Sequence, residues 1–207
     1  MAPTAPDPQQ MLTLVLGGIA STDERPPPEQ LVKFVSMFHP KKLESGDMYR
    51  HSGELAPSLD FVVSGFLRLA YLREDGREFT KGFVRPGVFH AVLDTVLGGV
   101  PSRYFAQAAT PVRMLVADYN AIAAFFETHV FWHRLSRRLF ERLALHKQRR
   151  EASLLMDSAA ARYEDFLSEY ADLEPQITDQ MIASYLGVTA ETLSRIKRER
   201  SLGTGRT

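Results

Sequence analysis

A Pro- and Ala-rich opening segment is followed by an apolar-leaning run from Met11 to Ala20, and the pattern breaks at Pro26, Pro27 and Pro28. Prolines placed this way close one segment and start a helix, and Leu31, Phe34, Val35 and Phe38 then recur at helical spacing. From Leu43 to Ala117 the pattern changes to short apolar runs bounded by turn residues, the mark of strands. Phe61 to Leu72 mixes a continuous apolar run with alternation. Glu74-Asp75-Gly76 is a hairpin signal, and Phe79 to Val84 is expected to return antiparallel to it. Strands at such regular intervals predict a closed roll, which encloses a pocket. Asp118 then opens a short helix, and a longer one is expected from Val130 to Met156, roughly 40 Å at 1.5 Å per residue. Its stripe of Phe131, Leu135, Leu139 and Leu143, with Trp132 at the start, needs a cover. Spacing alone allows either the chain's own roll or a partner helix. Asp157-Ser158 interrupts the pattern, and Ala159 to Tyr170 predicts a new helix with Tyr163, Phe166, Leu167 and Tyr170 inward.

The most informative stretch lies near the C-terminus. Ile182, Ala183 and Leu186 form one apolar stripe, and Leu193 and Ile196 another. Gly187 stands between them, where a tight corner requires a left-handed backbone. Thr189 is placed to cap the second helix, and Glu191 lies in its first turn, where negative charge suits the dipole. This is the pattern of a helix-turn-helix. Ala190, Glu191, Ser194, Arg195 and Arg198 fall opposite Leu193 and Ile196, on the face that would enter a major groove. Arg195 suits bidentate contact with guanine and Glu191 suits cytosine N4, while Lys197, Arg198 and Arg200 suit phosphates. A solvated helical hairpin with an arginine-rich end is the plainer alternative.

With 207 residues the chain can hold one ordinary domain and a smaller one. Its 25 Lys and Arg balance 25 Asp and Glu, which argues against a nonspecific polycation. The balance is uneven: Arg134, Arg137, Arg138, Arg142, Lys147, Arg149 and Arg150 crowd one helical stretch. The absence of cysteine excludes disulfides, thiolate-held iron-sulfur clusters and thiol switching. His129 and His133 have metal-site spacing, but Val130 stands where a zinc protease carries Glu, and His39, His51 and His90 are scattered. No metal or other cofactor is therefore expected. A cupin-type metalloprotein is the less favoured rival, and no nucleophile-base pair, phosphate loop or carboxylate pair points to an enzyme. The residues before the apolar run carry no basic group for a secretory signal, and the run is too short to cross a bilayer, so a cytoplasmic location is expected.

Residues 178–198 resemble the helix-turn-helix of the catabolite activator and fumarate-nitrate regulator (Crp/Fnr) family. Leu43-Glu-Ser-Gly46-Asp47, Gly53-Glu54 and Phe61-Val-Val-Ser-Gly65 resemble its β-roll signature. The resemblance covers roughly residues 28–200. It implies an α+β fold with an N-terminal double-stranded β-helix of the cyclic-nucleotide-binding kind, a long dimerisation helix and a C-terminal helix-turn-helix. The corresponding divisions are an N-terminal extension at 1–27, a sensor roll at 28–128, the dimer helix at 129–157 and a DNA-binding unit at 158–207. It further implies that Phe131, Trp132, Leu135, Leu139 and Leu143 join two copies, with Asp157 as the hinge. Thr189, Ala190, Glu191, Ser194, Arg195, Lys197 and Arg198 would meet a palindromic duplex. Ala190 departs from the Arg often found before that Glu, and the chain is expected to lack the β-wing that many members carry. RNA polymerase and a small-molecule effector are implied as further partners, and a membrane is not. The effector would sit among Phe89, Ala91, Val92, Ser102, Arg103 and Tyr104. Val92 stands where cyclic-AMP binders hold the ribose with Glu, and Tyr104 follows Arg103 where they have Ser or Thr, so cyclic AMP is not the expected ligand. Arg103 suits a phosphate or carboxylate there, or an ion pair on the roll surface. The rival within the same fold is a ligand-binding roll that acts through protein contacts.

Overall fold

The computed structural model describes residues 7–19 and 26–204. The expected N-terminal extension lies outside the described residues at 1–6 and 20–25, as does the end of the C-terminal unit at 205–207. Helices α1 (Pro8–Ile19) and α2 (Pro28–Ser36) precede eight strands: β1 (His39–Leu43), β2 (Met48–Arg50), β3 (Ser58–Ser64), β4 (Leu67–Leu72), β5 (Glu78–Val84), β6 (Phe89–His90), β7 (Phe105–Ala108) and β8 (Val112–Asp118). They form two antiparallel four-stranded sheets, ordered β1-β8-β3-β6 and β2-β7-β4-β5, which close as a roll. Helix α3 (Leu93–Gly98) interrupts the second half of the roll, and α4 (Tyr119–Phe126) and α5 (Val130–Met156) leave it. The C-terminal unit comprises α6 (Ala159–Tyr170), a 3-10 turn at Glu174–Gln176, α7 (Asp179–Leu186) and α8 (Ala190–Thr204).

The apolar run from Phe61 to Leu72 is split between β3 and β4. Gly65 turns the chain between them at φ +76°, and a Cβ there would lie 2.0 Å from the Pro111 carbonyl oxygen, so only glycine fits. The turn sends β3 into one sheet and β4 into the other, and β4 then pairs with β5 as the hairpin signal implied.

Three apolar clusters hold the chain. Between the sheets lie Val62, Leu67, Leu69, Val92, Tyr104 and Met114. On the outer face of β3 and β8, Leu12 and Leu16 of α1, Phe34 of α2, Phe38 just after it, and Ile122 of α4 meet Phe131, Trp132 and Leu135 of α5. The Trp132 indole stacks on Phe34 at 4.6 Å between centroids and donates to Gln30 Oε1 at 2.8 Å. The third cluster joins the C-terminal helices to the roll: Phe66 and Phe83 pack with Phe166, Tyr170, Tyr185 and Leu186. Polar contacts fix this docking. Thr80 N–H in β5 donates to Ser184 Oγ of α7 at 2.8 Å, Ser184 Oγ donates to the Glu78 carbonyl at 3.3 Å, and Tyr170 donates to the Phe83 carbonyl at 3.2 Å.

Candidate nucleic-acid interface and effector cavity

The two C-terminal helices are built as their sequence requires. Thr178 Oγ1 caps α7 by accepting from Met181 N–H, and Gly187 ends it at φ +69°, with its N–H bonded to the Ser184 carbonyl. Thr189 Oγ1 accepts from Thr192 N–H at 3.2 Å and caps α8. Leu193 and Ile196 are buried, so the opposite face is set by geometry. Thr189, Ala190, Glu191, Ser194, Arg195 and Arg198 are all exposed on it. Glu191 bonds its own backbone N–H and the Thr189 hydroxyl, which hold its carboxyl below the usual carboxylate range.

Lys197, expected at a phosphate, is paired within the chain. Its Nζ lies 2.7 Å from both Glu174 Oε1 and Asp179 Oδ1, tying α8 to the 3-10 turn and to the start of α7. Burial alone would lower this ammonium, but the hydrogen bonds to Asp179 and Glu174 carry it above its ordinary value. Arg200, likewise expected at phosphates, meets Glu164 at 2.7 Å. Two of the three expected phosphate cations are thus engaged inside the chain, leaving Arg195 and Arg198 as the exposed cations of the α8 face.

The six residues expected to line a ligand pocket do not converge. Arg103 is exposed and Ser102 is buried, while Val92 and Tyr104 belong to the core between the sheets and Phe89 and Ala91 pack against the outer cluster. The interior itself is occupied by polar groups that sequence spacing did not reveal. Tyr49 donates to Asp60 Oδ1 at 2.7 Å, and His90 bridges Asp60 Oδ2 at 3.1 Å and the Tyr104 hydroxyl at 3.3 Å. Burial and the Asp60 carboxylate push the Tyr49 phenol well above its ordinary value, and burial does the same to Tyr104. Lys81 Nζ sits 3.6 Å above the Tyr104 ring. Burial, with the Lys147 charge behind it, lowers that amine from 10.5 to about 8.

Phe89 and Ala91 instead line a largely apolar cavity of about 460 Å³ between the roll and α5, walled also by Val96, Phe126, Leu139 and Leu143. The expected dimer stripe is therefore divided. Phe131, Trp132 and Leu135 lie in the chain's own core and cannot face a second copy, because that side is already closed by α2 and α4. Leu139 and Leu143 border the cavity, and the exposed apolar residues of α5 are Phe140, Leu145, Leu154, Leu155 and Met156, with Val130 at its start. His129 Nδ1 accepts from Phe131 N–H and caps α5, and His133 meets Glu127 at 3.5 Å. Among the described residues, no three His, Cys, Asp or Glu side chains cluster closely enough to hold a metal ion, and no helix is long and apolar enough to cross a membrane.

Residues 40–129 match the family of cyclic nucleotide-binding domains. A transcriptional regulator of the crp/fnr family from Eubacterium rectale superposes with a TM-score of 0.68 at 17% identity, over 90% of this chain and 88% of that one. FixK2 from Bradyrhizobium japonicum gives 0.66 at 22%, over 80% and 86%. The chain has the Crp/Fnr fold. The c-di-GMP-responsive global regulator CLP of Xanthomonas campestris shares this Crp/Fnr fold at 0.66 and 18% identity, over 86% of this chain and 93% of that one. No curated protein matches the chain in sequence. Val92 packs in the core between the sheets, and Arg103 is exposed.

Proposed function

We propose that this protein is a homodimeric, sequence-specific DNA-binding transcription regulator whose roll senses a small molecule other than cyclic AMP. The observation that carries this reading is the face of α8. Glu191, Ser194, Arg195 and Arg198 project together from a capped helix whose other side is buried against α6 and α7. Such a helix enters a major groove with base-reading side chains near its N-terminal end. Two copies aligned along the exposed part of α5 would present two of these faces to one palindrome. Asp157, which ends α5, is the hinge in this reading, with residues 28–128 as sensor and 158–207 as DNA-binding unit. RNA polymerase is the partner that would read out the bound state.

Cyclic AMP does not suit the roll. Val92 offers its ribose hydroxyls no acceptor, and an unpaired polar group in a pocket costs on the order of 1–3 kcal/mol. The space between the sheets is also filled by Tyr49, Asp60, His90 and Tyr104 bonded to one another. Selecting bound duplexes from a random pool tests the main reading directly. A G·C-containing palindrome is expected, and Arg195→Ala should cost about 1–3 kcal/mol on it while relaxing the preference at one position per half-site. Equal losses on the selected and random duplexes would remove Arg195 from base reading. A monomer at micromolar concentration that selects no duplex would overturn the proposal.

A further inference from the structure

A second cleft lies between α5 and the C-terminal helices, and its character is opposite to that of the apolar cavity. Arg85 follows β5, Arg149 and Arg150 come from α5, and Arg162 comes from α6; all four line it, with Asp165 and Glu169 as the only carboxylates. Its excess of cations is not accidental surface charge. Arg150 stacks on the Tyr185 ring at 3.9 Å and donates to the Tyr185 carbonyl, while Arg162 donates to the carbonyls of Leu186 and Asp157 at 2.9 and 2.6 Å. Both guanidinium groups are thereby held in place, and a guanidinium has five N–H donors, more than these contacts use. Arg85 is only loosely held by Glu169, at 3.9 Å.

The cleft and the apolar cavity are neighbours. Arg85, His146 and Glu169 line both, so an apolar chamber adjoins an arginine-rich one. We infer that the two form one site for an amphipathic anion, with its apolar body between β6 and α5 and its phosphate or carboxylate head among Arg85, Arg149, Arg150 and Arg162. The chamber's volume of about 460 Å³ accepts a single short chain or a small ring system and excludes a two-chain lipid. Planar guanidinium forks suit either head group.

The placement gives such a ligand a mechanical role, and this part rests on the regulator reading above. The ligand would touch the roll at Arg85 and Phe89, α5 at Leu143 and Arg149, α6 at Tyr170 and α7 at Tyr185. It therefore spans the docking of the C-terminal unit on the roll. A ligand shifts an arrangement only through its different affinity for each state, and here the contacts on both sides of that docking supply the difference.

The test uses the full chain with decyl phosphate, decanoate, decanol and inorganic phosphate below micellar concentration, followed by calorimetry and thermal shift. Decyl phosphate and decanoate should bind saturably, decanol about tenfold more weakly and inorganic phosphate about a hundredfold more weakly. Arg85→Gln with Arg149→Gln should weaken decyl phosphate about tenfold and leave decanol unchanged. Ala91→Trp, or Val96→Phe if the first does not fold, should abolish binding of both. Equal affinity for decanol and decyl phosphate, indifference to these variants, or no saturation below about 1 mM would overturn the site. Binding only to anionic phospholipid vesicles would overturn it too. A palindrome selected by a chain that ignores every amphiphile sinks this site and leaves the regulator standing; amphiphile binding with no selected duplex sinks the regulator and leaves the site.

Discussion

The two ends of α5 are made of similar residues and meet different surroundings. Phe131, Trp132 and Leu135 at its start are buried between α2, α4 and the outer face of β3 and β8, with Trp132 fully enclosed. Leu154, Leu155 and Met156 at its end face solvent, Leu155 at 76% and Met156 at 83% exposure. A single helix thus has one part that belongs to the protomer and one that a protomer leaves bare. The contrast shows that an apolar stripe is not by itself an interface, since its cover depends on which elements the fold brings alongside.

Trp132→Ala is the most severe way to probe that contrast. It removes an indole stacked on Phe34 and edge-on to Phe131 and orphans Gln30, and it should cost about 3–5 kcal/mol in denaturant unfolding. If the start of α5 belongs to the protomer, the dimer dissociation constant of the folded variant should not change. A loss of dimer with normal protomer stability would return this segment to the interface. At the other end, Leu155→Glu should leave protomer unfolding within about 0.5 kcal/mol, as for other surface positions. It should weaken self-association by about 1.5–3 kcal/mol, the value of burying one such side chain, and sedimentation over a concentration series measures it. No change in self-association would remove the distal part of α5 from the proposed interface.

These outcomes bear on what could be read before the fold was known. The span of α5 was legible, because Val130 to Met156 keeps a helical pattern that the His129 cap opens and Asp157 closes. The paired stripes of α7 and α8 were legible for the same reason, and Gly187 and Thr189 adopt the roles their residue types require. What escaped was long-range. Nothing near Gly65 in sequence shows that Pro111 presses on it. Arg149 and Arg150 stood out as part of a basic helix, but Arg85 and Arg162 join them only through the docking of the C-terminal helices on the roll. The interior network was equally hidden, because Tyr49, Asp60, His90 and Tyr104 come from four separate segments.

Lys81 extends the comparison to charge enclosed by the protomer. Its folded value is about 8 against an ordinary 10.5, lowered first by burial. Below pH 8 the folded chain carries the ammonium at a cost. Between pH 8 and 10.5 the unfolded chain holds the proton that the folded chain has released, so stability should rise with pH in this window. Allowing for the partial exposure of Lys81, the rise should be about 1–2 kcal/mol. Lys81→Met should flatten it when unfolding free energies at pH 8 and 10 are compared. A rise of equal size in the variant would assign the effect to another group.

The smallest effect separates two cations on α8. Arg195 is exposed on the proposed reading face, whereas Lys197 is held between Glu174 and Asp179 and is only partly accessible. Lys197→Met leaves two carboxylates without their shared cation. Because those groups remain partly solvated, the cost to unfolding should be about 1 kcal/mol or less. Its effect on DNA should be smaller still: the ratio of affinities for selected and random duplexes should hold, and so should the slope of affinity against salt, since a cation already neutralised inside the chain releases no counterion on binding. A salt slope reduced by about one would show that Lys197 leaves its carboxylates to meet a phosphate when the duplex arrives. The ion pair with Glu174 and Asp179 would then be a feature of the unbound state, exchanged for the duplex rather than retained beside it.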